Sequence, residues 1–124
     1  MTFAFWTILA AGLLPTICAG IAKAGGKGFD NAAPRVWLER QTGWRLRADW
    51  AQRNHLEVFP LFAAAVIVAA ITHAPQSWAD ALAVAFVLIR IAYSAAYILD
   101  RPNLRSLLWS CGLLCVIGLF VISV

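Results

Sequence analysis

Charge is scarce in this sequence. Only 13% of its 124 residues are charged and 62% are hydrophobic. Soluble domains carry roughly 25% charged residues. A soluble fold of this length could not hide so much apolar surface, so the bilayer is the expected solvent. Lysine is scarcer still: Lys23 and Lys27 stand against eight arginines. That bias favours planar, bidentate recognition of carboxylates, although arginine also serves lipid headgroups. No C-x-x-C pair occurs, which argues against a dithiol redox centre. Cys18, Cys111 and Cys115 all lie in apolar runs and read as small buried hydrophobes. No His/Cys cluster has metal-ligand spacing, so no metal is expected. Long-period repeats, low-complexity tracts and flexible linkers are also missing, which leaves a single domain over residues 1–124. The net charge of +4 does not point to nucleic acid, because the basic residues cluster beside hydrophobic runs and read as topology signals.

What is present is apolar sequence in lengths that cross a membrane, about 20 residues each. Four spanning helices are expected, at about 2–22, 45–73, 79–99 and 105–123. The first lacks the basic n-region and A-x-A site of a cleaved signal peptide, so it is read as retained. Loop one holds Lys23, Lys27, Arg35 and Arg40, and its Gly25-Gly26-Lys27-Gly28 run and Pro34 predict irregular structure. Loop two has no Lys or Arg, and loop three has Arg101 and Arg105. The positive-inside rule therefore puts loops one and three in the cytoplasm and both termini outside. His73 falls at a span end and reads as interfacial. Pro60 predicts a kink in the second span, one turn after Glu57.

Two polar islands interrupt the apolar runs. Arg90 sits alone in the third span, where a charge costs from about 2.5 to more than 10 kcal/mol and so needs a partner or a wet cavity. Tyr93 and Tyr97 follow it at i+3 and i+7, on one face. In the second span, Trp50, Arg53, Asn54 and Glu57 follow i, i+3, i+4, i+7 spacing, with His55 beside them. Similar depth predicts that Glu57 and Arg90 pair directly or share a ligand; a purely structural ion pair is the alternative. The fourth helix is expected to open at Arg105-Ser106, where unpaired N–H groups and the helix dipole favour an anion. Arg47, Arg53, Arg90 and Arg105 suit carboxylates, and Glu57 suits an ammonium group. A ligand with several carboxylates, one amine and peptide groups matches this inventory, and glutathione is such a ligand.

The segment from Arg47-Ala48 through Asn54-His55-Leu56-Glu57 to Pro60-Leu61-Phe62 resembles the signature of the MAPEG family, the membrane-associated proteins in eicosanoid and glutathione metabolism. The segment Arg90–Tyr97, followed by Leu104-Arg105-Ser106, resembles the family's second block. The resemblance covers nearly the whole chain. It implies an all-α membrane protein, a homotrimer of four-helix protomers, with glutathione as co-substrate held between neighbours near the cytoplasmic side. By motif position, Arg47, Arg53, Asn54, Glu57, Arg90, Tyr93 and Tyr97 look like glutathione ligands. Arg105 and Ser106 look like the catalytic pair that stabilises the glutathione sulfur.

Three features depart from the best-known members. Trp50 stands where some carry arginine, Tyr93 stands where prostaglandin-type members carry histidine, and loop one is more similar to the bacterial branch, which implies a bacterial inner membrane. Lys23 or Lys27 would replace an arginine that members place after the first helix. The implied function is a glutathione transferase or peroxidase acting on lipophilic electrophiles dissolved in membrane lipid. The alternative is a non-catalytic protein of the same scaffold that binds lipid or a partner. A four-span drug transporter fits less well, since it would need an acidic residue in a first span that has none.

Overall fold

A computed structural model describes residues 1–124. It is all helical: α1 (Phe3–Lys23), α2 (Pro34–Glu39), α3 (Gly43–Ile71), α4 (Gln76–Ile98) and α5 (Pro102–Val121). All but α2 are long and apolar enough to cross a membrane. The short α2 corrects the expectation of an irregular loop one. Pro34 occupies its first turn, where a missing N–H costs nothing and the fixed φ suits a helix. Trp37 and Leu38 then bury against Ala22 and Ala48, and the Trp37 indole donates to the Lys27 carbonyl at 3.1 Å. Gly26 makes room for that ring, because a Cβ there would collide with it.

Polar groups at the helix ends fix how the helices meet. The first N–H groups of α1 have no helical partner. Thr2 Oγ1 accepts from the Phe5 N–H at 3.4 Å, and Asp80 Oδ1 of α4 accepts from the Ala4 N–H at 2.8 Å. The starts of α1 and α4 therefore share one end of the bundle. At the other end the Arg45 guanidinium donates to the Ala22 carbonyl at 3.0 Å, closing the C-terminus of α1. Both α3 and α4 stop in the same turn. His73 and Asp100 take positive φ values of 57° and 59°. After α3, the Ala74 N–H reaches the Ala69 carbonyl and the His73 N–H reaches Ala70; after α4, Arg101 reaches Ala96 and Asp100 reaches Tyr97. This is the Schellman pattern. His73 is thus a helix stop as well as a residue at a span end.

Close packing builds the core at the Asp80 end. Phe62 of α3 stacks on Phe86 of α4 with centroids 4.0 Å apart, among Ala65, Ala69, Ala83 and Leu119. Small residues let helices approach closely where lipid offers no hydrophobic drive for association. Leu9, Leu13, Ile17, Leu88, Ile117 and Val121 point outward. α3 continues as one helix through Pro60.

Candidate functional site

Arg90 is 2% exposed, so its charge must be met inside the protein. Neutral acceptors on α3 meet it. Its Nη2 donates to Asn54 Oδ1 at 2.8 Å and approaches His55 Nδ1 at 3.0 Å, while its Nε donates to His55 Nδ1 at 3.2 Å. The guanidinium also lies 4.0 Å from the centroid of the Tyr93 ring, a cation–π contact. The expected direct Glu57–Arg90 pair is not formed; the two ion pairs of the molecule both belong to Arg53. Asn54 relays between them instead, since its Nδ2 donates to Glu57 Oε2 at 3.2 Å. The physical reason is facing: Arg90 is buried, whereas Glu57 is exposed on the surface of α3. Both still line one small cavity of ≈ 150 Å³, with Val58, Leu61, Phe86 and Trp109 among its apolar walls.

The two polar stripes meet in an open cleft of ≈ 430 Å³. Trp50, Arg53, Asn54, Glu57, Tyr93 and Tyr97 line it. Tyr93 and Tyr97 pack edge to face, with centroids 5.6 Å apart. An adjoining recess adds Arg105, Ser106 and Trp109 to Asn54, Tyr93 and Tyr97. The Arg105 guanidinium lies 4.6 Å from the Tyr97 ring centroid and has no carboxylate within ion-pair distance.

α5 begins at Pro102, a turn before the expected start, because proline at N1 initiates helices well. The Arg105 N–H is already bonded to the Arg101 carbonyl at 2.9 Å. The unpaired N–H groups of this helix therefore precede Arg105, and the cation itself, not the helix terminus, supplies positive charge at Arg105-Ser106.

Two of the candidate arginines are partly committed elsewhere. Arg53 donates to Asp49 at 3.2 Å and to Glu39 at 3.4 Å, tying α2 to α3. Arg47 Nε donates to the Ile98 carbonyl at 3.0 Å and closes the end of α4, with the rest of the side chain facing a recess shared with Trp50, Tyr97, Asp100, Arg101 and Arg105. Lys23 lies 5.6 Å from the Phe29 ring centroid and Lys27 is exposed in loop one.

Sequence reasoning missed the roles of Asp49, Ser94 and His55. Asp49 carried a signal, its i,i+4 spacing to Arg53. Ser94 carried none beyond lying one turn from Arg90. Its Oγ sits 2.6 Å from His55 Nε2 and accepts from the Cys18 thiol at 3.6 Å.

A model of the MAPEG family matches residues 3–124. The chain belongs to the MAPEG family. No curated protein and no solved structure matches it. Membership sets this integral, multi-pass protein among membrane proteins of glutathione or eicosanoid metabolism, and the Arg90–Asn54–Glu57 relay spans the two sequence blocks that resemble the family.

Proposed function

We propose that this MAPEG protein binds glutathione in the α3–α4–α5 cleft and joins it through its sulfur to lipophilic electrophiles. The observation that carries the reading is the unpaired Arg105 guanidinium facing the recess that Asn54, Tyr93 and Tyr97 share with the cleft. The donor set suits the tripeptide: arginines and tyrosines for carboxylates, Glu57 for the amine, and Asn54 for a peptide group. Glutathione supplies a thiol, and only the thiolate is a strong nucleophile. Arg105 stabilises that thiolate, and the Ser106 hydroxyl donates to it. The sulfur lone pair forms the new S–C bond. The electron pair displaced on the electrophile leaves with its leaving group or takes up the thiol's proton. For a lipid hydroperoxide, two glutathiones would supply two electrons and yield the disulfide, an alcohol and water.

Glu57 and Arg53 are exposed on the protomer. A carboxylate inside a membrane span is costly against lipid. A neighbouring copy covering the cleft removes that cost, which supports the homotrimer with the ligand held between protomers. The concentration of Arg45, Arg47, Arg101 and Arg105 at one end of the bundle supports a cytoplasmic orientation for loops one and three; a bacterial inner membrane rests on the resemblance of loop one alone. A second reading, a non-catalytic scaffold that binds lipid, draws on the apolar cavity beside Arg90.

Calorimetry of the detergent-purified protein with glutathione tests the proposal. Saturable binding lost in Glu57→Gln, with conjugation of a lipophilic electrophile lost in Arg105→Ala, is expected. No binding at millimolar glutathione would overturn it in favour of the lipid reading. Native mass spectrometry should show three copies, and a monomer would overturn the shared site.

A further inference from the structure

His55 is the most buried of the polar side chains that the proposed chemistry does not use. It is 2% exposed and lies deep within α3. An unpaired imidazole there would be costly, and a bland core histidine would need only one partner. This one has partners at both nitrogens. Nδ1 faces two N–H groups of Arg90, at 3.2 and 3.0 Å, and can only accept from them. The ring is then the Nε2–H tautomer, and Nε2 donates to Ser94 Oγ at 2.6 Å. The Ser94 hydroxyl in turn donates to the Arg90 carbonyl at 3.1 Å, and Ser94 Oγ accepts from the Cys18 thiol of α1. The loop closes on Arg90 itself and ties three helices together.

The bonds also decide which edge of Arg90 is free. Nε and Nη2 are taken by His55 and Asn54. Nη1 makes no hydrogen bond, yet no fully buried side-chain nitrogen or oxygen lacks a partner. Nη1 is thus not fully buried, and Arg90 lines the small cavity that Glu57 also lines. From this geometry we infer that His55, backed by Ser94, is a positioning residue: it holds the Nε and Nη2 edge of the Arg90 guanidinium and leaves Nη1 for the small cavity that Arg90 shares with Glu57, itself a residue of the cleft. Because His55 and Asn54 are neutral, Arg90 keeps its full positive charge for an anionic ligand group. The ligand half of this inference rests on the glutathione reading; the clamp does not.

The test separates the two nitrogens. In His55→Asn the side-chain oxygen can stand near Nδ1 and still accept from Arg90. In His55→Gln the amide reaches the Nε2 position and keeps only Ser94. His55→Gln should weaken glutathione binding about tenfold, the order expected for a lost hydrogen bond to a charged group. His55→Asn should stay within about threefold of wild type, with both variants melting at similar temperatures. Equal losses in the two, or no loss in His55→Gln, would overturn the positioning role. ¹⁵N spectra of histidine-labelled protein, assigned with His73→Gln, read the clamp without any ligand. An Nε2–H tautomer with a hydrogen-bonded Nδ1 that changes in Arg90→Met is expected. An Nδ1–H tautomer overturns the clamp, even where Arg90→Met fails to fold. Should wild type not bind glutathione at all, the glutathione reading falls while the spectra still decide the clamp.

Discussion

The α3–α4 interface has two halves that hold together differently. Toward the Asp80 end, Phe62 and Phe86 stack among alanines and every contact is apolar. Toward the Arg105 end, Arg90, Asn54, His55 and Tyr93 meet through hydrogen bonds and ring faces. Lipid tails are as apolar as the first half, so its stability comes from close packing and not from expelling solvent. The second half resists lipid for the opposite reason: no acyl chain can satisfy a guanidinium. The comparison teaches that apolar close packing and hydrogen-bonded polar side chains are assigned to different ends of the same helix pair.

The largest expected effect should fall on the apolar half. Phe62→Ala removes the stacking partner of Phe86 and should cost about 3–5 kcal/mol of stability. Glutathione affinity of the folded fraction should stay within about twofold, since neither Phe62 nor Phe86 lines the cleft. Unfolding in mixed detergent micelles and calorimetry measure the two quantities. A parallel loss of binding would show that the halves are not separate.

Arg90→Leu tests the polar half and should cost a comparable amount of stability but more function. It strands the acceptors of Asn54 and His55, and each stranded group costs roughly 1–3 kcal/mol unless it finds a new partner. Binding should disappear along with the Nη1 edge. Wild-type affinity in a folded Arg90→Leu protein would remove Arg90 from the site.

How much of this could be read in the sequence follows from the same contrast. Apolar run length makes the spans legible, and i, i+3, i+4, i+7 spacing makes the cleft residues legible, because both depend on one helix at a time. The partner of Arg90 depends on two helices and on which way each faces. Formal charge pointed to Glu57, yet Glu57 is on the exposed surface of α3 while His55, about 160° round the helix, is buried against α4. A guanidinium with five donors can be held by neutral acceptors, so charge matching alone misjudges it. Ser94 was invisible for a related reason, since a serine one turn from Arg90 gains meaning only once His55 faces it. The helix starts at Pro34 and Pro102 share one feature, a proline in the first turn, where its fixed φ suits a helix and its missing N–H costs nothing.

The smallest effect compares the two ends of the bundle through one turn that occurs at both. His73 after α3 and Asp100 after α4 hold the same left-handed backbone, at φ 57° and 59°. An L-residue there costs roughly 1–2 kcal/mol of strain that glycine avoids, part of which glycine returns through its freer unfolded chain. His73→Gly and Asp100→Gly should therefore each raise stability by up to about 1 kcal/mol. Their effects on ligand should differ. His73 lies at the far end from Arg105, so its replacement should leave affinity unchanged. Asp100 shares a recess with Arg47, Arg101 and Arg105, and removing its carboxylate raises the positive potential there. Asp100→Gly should tighten binding of an anionic ligand by about two- to fivefold at low salt, with the gain shrinking as salt screens it. Equal affinities in the two variants at low salt would show that charge at the α4–α5 turn does not reach the cleft.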